Sequence, residues 1–243
     1  MGKMVEYVPS CHSTNDSARR LLENTAIQEG FVLITDDQTK GRGQRGNIWL
    51  SEAGKNLTFS IIVRPTFLKV IDQFFLNIIA SLAVRNAVAD KLTGHNCQVK
   101  WPNDVLVNER KVCGILIENI IKASQLDYSI IGIGLNINQR SFSSPRATSL
   151  VNEVGLDLDL QFLFESVLLH FETLYLRLKS GYGELLKENY LQNLIGFRMS
   201  RRYRAEYEFT GEILDVLESG KLMVRTNRGI ELFDFKEIEF IWN

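Results

Sequence analysis

Three short segments of the chain carry residues that could handle phosphate and carboxylate groups. Residues 41–46 read G-R-G-Q-R-G, residues 101–104 read W-P-N-D, and residues 110–118 read R-K-V-C-G-I-L-I-E. Glycines allow backbone N–H groups to approach an anion closely, and Arg42 and Arg45 add positive charge. The pattern therefore predicts a site for phosphate and carboxylate chemistry.

The first segment also matches G-x-G-x-x-G, the motif of dinucleotide-binding loops. That motif is meaningful only between a strand and the helix whose N-terminus holds the pyrophosphate. Here the strand-like run 57–63 follows, without an amphipathic helix in between, so a nicotinamide site is not expected. A P-loop NTPase is excluded as well, because the chain contains no G-x-x-x-x-G-K-[ST].

Composition restricts the class of protein. The chain has 243 residues, 45% of them hydrophobic, which is enough for one large domain and a small one. Its net charge of −1 argues against a general nucleic-acid or membrane-surface protein. The local cluster of Arg198, Arg201, Arg202 and Arg204 is interpreted as a solvated strand face.

The cysteines and the apolar segments indicate a reducing compartment. Cys11, Cys97 and Cys113 are odd in number and lack C-x-x-C spacing, so neither a disulfide framework nor a zinc site is expected. No targeting sequence or membrane-spanning run is visible, and we expect a cytoplasmic protein without a membrane partner.

The periodicity of apolar residues predicts an α+β fold with two parts. Strands are expected near residues 5–8, 112–120 and 129–138, with a hairpin at 108–111, and helices after 13–16 and over 70–92, 161–178 and 183–194. From residue 195 onward, short strands alternate with turn signals at 210–211, 219–220 and 227–229. We therefore predict a larger α+β domain over residues 1–194 and a small β domain over 195–243.

Taken in order, these motifs resemble those of biotin protein ligases. The segment 13–15, S-T-N, precedes the glycine loop, and residues 132–138, G-I-G-L-N-I-N, follow the R-K-x-x-G-I-L-I-E strand. The resemblance covers nearly the whole chain. It implies a mixed-sheet catalytic domain of the biotin/lipoate ligase type, similar to class II synthetases, followed by an SH3-like β barrel.

The resemblance also implies an activity. Enzymes of this family use ATP, with Mg²⁺, to convert biotin to biotinyl-5′-AMP, and then transfer biotin to a lysine of a biotin carboxyl carrier protein. The chain is similar to short members without an N-terminal DNA-binding domain, so no operator binding is expected. An exposed strand edge could serve a homodimer or the carrier, and the sequence leaves this choice open.

Matching positions assign roles by resemblance. The catalytic candidates are Lys111, Arg42 and Asp104, the last of which could orient the acceptor lysine or a metal ion. The biotin-binding candidates are Ser13, Thr14, Asn15, Gln38, Gly41, Arg42, Lys111 and Gly114. The ATP- and adenylate-binding candidates are Arg42, Gln44, Arg45, Trp49, Asn103, Lys111 and Asn136.

Several of these residues also have an ordinary structural explanation. Residues 13–15 could cap a helix, Lys111 could be a solvated hairpin lysine, and Asp104 could be a turn residue. Trp101 is interpreted as a core aromatic. Trp49 is instead expected to close over the adenylate, on a loop that is disordered until the ligand binds.

One position departs from the family pattern. Many relatives have G-R-G-R in the loop, whereas Gln44 occupies the fourth place here and offers a neutral amide, so adenylate retention could be weaker.

Three other functions compete with that of a biotin protein ligase. They are a lipoate or octanoate transferase, a non-catalytic biotin or adenylate sensor, and a nucleic-acid module. The sensor is disfavoured because Lys111, Arg42 and Asp104 occur together, and a sensor does not need groups that serve transfer. The nucleic-acid module is disfavoured because the terminal β barrel is expected to pack on the catalytic domain and to help hold ATP or the carrier.

Overall fold

The computed structural model describes residues 1–92 and 94–242 of the protein, and the side chain of Arg45 lies outside this description. The described residues form two β-sheets. The strands are β1 (Val5–Cys11), β2 (Phe31–Gln38), β3 (Leu57–Val63), β4 (Cys97–Lys100), β5 (Asp104–Val107), β6 (Arg110–Lys122), β7 (Gln125–Leu135), β8 (Ser200–Arg204), β9 (Glu208–Val216), β10 (Leu222–Thr226), β11 (Gly229–Phe233) and β12 (Glu239–Phe240). The helices are α1 (Thr14–Asn24), α2 (Phe74–Ala89), α3 (Leu150–Val154), α4 (Leu160–Lys179) and α5 (Gly183–Gln192).

The larger sheet is mixed and has helices on both faces. Its seven strands run in the order β1-β2-β3-β7-β6-β5-β4; β1 pairs with β2 in parallel, and the other neighbours are antiparallel. Helix α1 contacts β2, β3 and β7, whereas α2 contacts β4, β5 and β6 and packs on α4 and α5. The predicted α+β class is confirmed.

Side-chain alternation gives the two faces of this sheet different chemistry. Along β3, Leu57, Phe59, Ile61 and Val63 belong to the main hydrophobic core with α2 and α4. Successive strand residues point to opposite faces, so Ser60 lies on the α1 face. Residues paired across an antiparallel ladder share a face, and Ser60 pairs with Gly132. The α1 face therefore carries a polar and glycine-rich surface.

Most predicted elements are found, with shifted ends. The helix predicted over 70–92 is confirmed as α2, although residues 70–72 form a separate 3₁₀ turn before it. The predicted hairpin joins β5 to β6, and its turn residues Asn108 and Glu109 have φ of 48° and 62°, the left-handed values that such turns need. The turn predicted at 210–211 is wrong, because both residues lie inside β9. Gly211 instead allows close approach, since a Cβ there would lie 2.8 Å from Val224 Cγ1.

The smaller sheet holds the C-terminal residues. Its order is β11-β10-β9-β8-β12, all antiparallel, which is consistent with the small barrel that the resemblance implies. Arg202 and Arg204 are exposed and pair with Glu208, as expected for a solvated strand face. The division of the chain into two domains at residues 194/195 remains a proposal.

Within the described ranges, no helix is both long and apolar enough to cross a bilayer.

Trp101 joins the two sheets. Its side chain is only 3% exposed, which confirms the prediction of a core aromatic. The indole N–H donates a buried hydrogen bond of 2.9 Å to the carbonyl of Gly220, in the turn between β9 and β10. Arg201 adds an ion pair of 2.6 Å with Glu109 at the β5–β6 turn. The C-terminal sheet is therefore attached beside the W-P-N-D turn.

We expect Trp101→Phe to lower the free energy of unfolding by about 1–3 kcal/mol, because the buried carbonyl of Gly220 would lose its donor. Urea unfolding followed by circular dichroism measures the change. Trp242→Phe, the same substitution at a partly exposed position near the chain end, is the control. Equal stability of Trp101→Phe and the wild type would show that this hydrogen bond does not hold the two sheets together.

Candidate active site

A cleft of about 970 Å³ opens on the α1 side of the larger sheet and extends to the C-terminal sheet. It gathers most of the site residues that the sequence predicts. Those lining it are Ser13, Thr14, Asn15, Gln38, Arg42, Gln44, Trp49, Asn103, Asp104, Lys111 and Gly114. Segments far apart in the chain thus form one concave surface, the usual form of a small-molecule site.

The base of the cleft is a glycine floor made of Gly114, Gly132 and Gly134. Gly114 pairs with Gly134 across β6 and β7, so both lie on the same face. The indole of Trp49 lies on this floor: a Cβ at Gly114 would be 2.9 Å from its Cζ3, and one at Gly134 would be 2.6 Å from its Nε1. Only glycine leaves this space, and it brings Trp49 from the glycine loop onto the sheet.

One side of the cleft is a polar wall formed by Thr14, Asn15, Gln38 and Ser60. Gln38 Oε1 accepts from the Thr14 backbone N–H at 2.8 Å, and Ser60 Oγ lies 2.7 Å from both Thr14 Oγ1 and Asn15 Oδ1. Asn15 Oδ1 can only accept, so the Ser60 hydroxyl donates to it. The Thr14 hydroxyl has one proton for two neighbours, Ser60 Oγ at 2.7 Å and Gln38 Oε1 at 3.2 Å. Ser60 is 0% exposed and fixes the two residues it touches.

The cap hypothesis for residues 13–15 applies in part. Ser13 is the N-cap residue of α1, yet its hydroxyl makes no capping hydrogen bond. Thr14 and Asn15 lie inside the first turn and point into the polar wall. Both residues line the cleft, but Asn15 is 2% exposed and its amide is already hydrogen-bonded to Glu118, Leu116 and Ser60, so Asn15 supports the wall. The biotin-binding roles of residues 13–15 remain proposals.

Arg42 is held between two carboxylates. Its Nη2 lies 2.6 Å from Asp16 Oδ1 and 2.9 Å from Glu118 Oε2. The Glu118 oxygen also accepts from Asn15 Nδ2 at 2.8 Å. The arginine of the glycine loop is thereby connected to the polar wall.

Lys111 and Asp104 form an ion pair at the other end of the glycine floor. Lys111 Nζ lies 2.6 Å from Asp104 Oδ1, and Lys100 Nζ lies 3.5 Å from Asp104 Oδ2. The Asp104 side chain is 13% exposed and that of Lys111 is 35% exposed. Two cations thus face one carboxylate, which leaves net positive charge for an anionic ligand.

A β-bulge turns Lys111 toward the cleft. Strict alternation along β6 would place Lys111 on the core face with Cys113. The register with β5 shifts so that Val105 pairs with Cys113 but Leu106 pairs with Lys111. The extra residue reverses the direction of Lys111, and a Cβ on Gly114 would then lie 3.2 Å from its Nζ.

The glycine loop is folded back on itself. Arg42 and Ile48 form an antiparallel bridge, and the N–H of Gly43 donates to the carbonyl of Asn47 at 2.7 Å. Gly41, predicted as a biotin contact, is buried beneath the loop, and its carbonyl accepts from the N–H of Trp49 at 2.9 Å. The strand β3 follows this loop, as predicted from the run 57–63.

The side chains of three other predicted site residues are not shown to be available to a ligand. Asn103 lines the cleft, but its amide donates to the carbonyl of Ile115 and holds β6. Asn136 is 3% exposed, lies outside the cleft lining and donates to Thr148 O at 3.0 Å, while its Oδ1 is buried without a hydrogen-bond partner among the described residues. The side chain of Arg45 lies outside the described atoms. The ligand roles of these three remain proposals.

Several cleft residues were missed from the sequence. Gly132 and Gly134 line the cleft and belong to the G-I-G-L-N-I-N segment, but no role was assigned to them. Ser60, Asp16 and Glu118 lie behind the lining and bind residues that form it; Glu118 ends the 110–118 motif, whereas Asp16 and Ser60 were given no site role. The C-terminal sheet and chain end also contribute to the lining through Lys236, Ile238, Glu239, Phe240 and Trp242. Only the docking of the two sheets places these residues there.

The donor set does not form a protein-held metal site. Among residues 1–92 and 94–242, no group of three or more His, Cys, Asp and Glu side chains could hold a metal ion. Asp104, the predicted candidate, is bound by Lys111 and Lys100. Burial raises the pKa of the Cys113 thiol well above its ordinary value, so this neighbour of the cleft stays protonated and is not a nucleophile.

Comparison with known proteins agrees with this geometry. Residues 7–136 match the biotin/lipoate A/B protein ligase family. A bifunctional ligase/repressor BirA of Bacillus subtilis (strain 168) is 34% identical over 98% of this chain and 74% of its own. A biotin--[acetyl-CoA-carboxylase] ligase of Mycobacterium tuberculosis is 28% identical over 90% of this chain and 82% of its own.

The fold has similar solved structures. A biotin protein ligase from Aquifex aeolicus in complex with biotin and ATP superposes with a TM-score of 0.81 at 28% identity, covering 99% of this chain and 100% of that one. The family match extends over more than half of the 243 residues. The chain therefore belongs to the biotin/lipoate A/B protein ligase family.

Proposed function

We propose that the protein is an ATP-dependent biotin–protein ligase. It activates biotin to biotinyl-5′-AMP and transfers the biotinyl group to a lysine of a biotin carboxyl carrier protein. One observation supports this most directly: the Lys111–Asp104 pair, at 2.6 Å, lies on the same cleft as the polar wall and Arg42. Groups for an acid, a phosphate and an amine are thus within one site.

The polar wall would hold the ureido ring of biotin. That ring has one carbonyl and two N–H groups, which need buried partners. Thr14 and Gln38 supply a hydroxyl and an amide at the cleft surface, in an arrangement fixed by Ser60. A site built for such hydrogen bonds rejects acids that lack them, because its own polar groups would be left unpaired.

In the first step, a carboxylate oxygen of biotin attacks the α-phosphorus of ATP. The bond between this phosphorus and the oxygen that bridges to the β-phosphate breaks, and pyrophosphate leaves with that oxygen. Two anions must approach each other, so cationic groups have to offset charge that grows in the transition state. Lys111 and Arg42 are the proposed cations. A magnesium ion, when present, would be held mainly by phosphate oxygens and would offset further charge; the protein's part is to orient the two reacting groups.

In the second step, the amine of the carrier lysine attacks the carbonyl carbon of the adenylate, and AMP leaves. A carrier lysine is normally protonated at neutral pH. Asp104 would attract this ammonium group and accept its proton. Lys111, bound to the same carboxylate, would stabilise the phosphate of the departing AMP.

The reaction is tested by mixing the protein with ATP, Mg²⁺, biotin and a biotin carboxyl carrier domain. Intact mass spectrometry of the carrier is expected to show the biotinyl mass shift. A shift with lipoate or octanoate but not with biotin would move the protein to the lipoyl branch of its family. No shift with any acid, despite measurable biotin binding, would indicate a sensor.

Gln44 suggests a test of adenylate retention. It lines the cleft where the resemblance implies arginine in many relatives. We expect Gln44→Arg to slow release of biotinyl-5′-AMP by about tenfold, since a charged hydrogen bond to phosphate is stronger than one from a neutral amide. Release is measured by rapid dilution of the loaded protein into hydroxylamine. Asn47→Arg, on the same loop, controls for added charge. Equal release rates for Gln44→Arg and wild type would contradict the prediction.

A further inference from the structure

Glu118 holds together parts of the cleft that come from three segments of the chain. It lies on β6 opposite Ile130 of β7, on the α1 face, with a side chain that is 19% exposed. Its Oε2 accepts from Asn15 Nδ2 at 2.8 Å and from Arg42 Nη2 at 2.9 Å. Its Oε1 lies 3.5 Å from Arg19 Nη2. A carboxylate that lines no part of the cleft surface thus touches two residues that do.

The contact with Asn15 fixes one end of the polar wall. Asn15 is 2% exposed; its amide donates to Glu118 and to Leu116 O, while its oxygen accepts from Ser60. A Cβ at Gly132 would clash with this amide, so the backbone of β7 also encloses it. Because donors and acceptor of Asn15 are all used, loss of Glu118 would leave a buried N–H without its strongest partner.

The contact with Arg42 fixes the glycine loop. Both carboxylates bind through Nη2, one corner of a planar group with five N–H donors. Fixing one corner determines where Nε and Nη1 point. Asp16 touches only the Arg42 side of this arrangement, whereas Glu118 touches Arg42 and Asn15 through the same oxygen.

We propose that Glu118 is a positioning residue that couples the acid-binding wall to the phosphate-binding arginine, so that one carboxylate sets the geometry of both substrates. This inference rests on the proposed function. It predicts a double defect that Asp16 cannot produce. Loss of Glu118 should weaken binding of biotin and also slow the attack on ATP, whereas loss of the Asp16 charge should affect only the second.

The test uses the full chain with Glu118→Gln, Asp16→Asn and the control Asp127→Asn. Asp127, on β7, forms a comparable ion pair with Arg64. Both residues lie outside the cleft lining. Biotin binding without ATP is measured by calorimetry, and pyrophosphate release gives kcat and KM for adenylation. Glu118→Gln is expected to weaken biotin binding about tenfold and to lower kcat for adenylation about tenfold. Asp16→Asn is expected to lower kcat alone.

Arg42→Ala separates positioning from simple damage. If Glu118 acts on adenylation through Arg42, adding Glu118→Gln to Arg42→Ala should leave kcat unchanged while biotin binding still falls. A further fall in kcat would overturn the coupling. So would a Glu118→Gln protein that behaves like Asp127→Asn, or one that shows the kcat defect without the biotin defect.

The outcomes distinguish this proposal from the function on which it rests. If the wild type binds biotin but releases no pyrophosphate, the ligase function fails, and the calorimetric comparison still decides whether Glu118 supports the wall. If the wild type binds no biotin, both fail. Should Glu118→Gln not fold, Glu118→Asp keeps the charge but has a reach shorter by one methylene. Glu118→Asp is expected to show both defects. A Glu118→Asp protein with normal biotin binding and a normal kcat for adenylation would overturn the proposal.

Discussion

Lys111→Ala is expected to lower the rate of biotinyl-5′-AMP formation on the order of 10²–10³-fold, the loss typical of removing one charge-stabilising group from a transition state. Lys111 lies 2.6 Å from Asp104 and above Gly114, where the acid and the phosphate would meet. Its loss removes a cation and also leaves only Lys100, at 3.5 Å, to offset the Asp104 charge near two anions. Pyrophosphate release under single-turnover conditions measures the effect.

Two further variants show that the effect belongs to this position. Lys122→Ala removes a lysine from the far, exposed end of the same strand and should keep the wild-type rate. Lys111→Arg keeps the charge in a planar fork and should recover only part of the rate, because a compact ammonium fits between carboxylate and phosphate differently. A Lys111→Ala protein with the wild-type rate would remove this residue from the mechanism.

Gly134→Ala is expected to displace Trp49 and to weaken retention of the adenylate by about tenfold or more. An added Cβ would lie 2.6 Å from Nε1 and 2.7 Å from Cζ2 of the indole, closer than such atoms can approach. Because the neighbouring β-strand backbone on both sides of Gly134 is paired, the indole has to move rather than the strand. Tryptophan fluorescence and the rate of adenylate release report the change.

The cause of this loss can be tested in a second background. If the methyl group acts by moving the indole, Gly134→Ala should add little to the defect of Trp49→Ala. A further loss in that background would show that the methyl group obstructs the ligand itself. Normal retention in Gly134→Ala would show that Trp49 does not need the glycine floor.

The elements could be predicted because their signals are local. The apolar faces of α2 and α4, the left-handed turn at Asn108 and Glu109, and the β-branched run of β3 each depend on neighbouring residues. The wrong turn at residues 210–211 has a matching explanation. Glycine signals either a turn or a close approach of backbones, and only the packing of β9 on β10 distinguishes the two.

By itself, the sequence determined the family, the α+β class and the types of residue that the chemistry needs, because motif order and periodicity are properties of the chain. The direction in which a side chain points was decided by the tertiary structure. Alternation would place Lys111 in the core, and the β-bulge in β6 brings it to Asp104. The contacts of Glu118 with Asn15 and Arg42 join residues 103 and 76 positions apart. Such contacts arise only when strand pairing and helix docking bring distant segments within hydrogen-bond distance, and no local pattern encodes them.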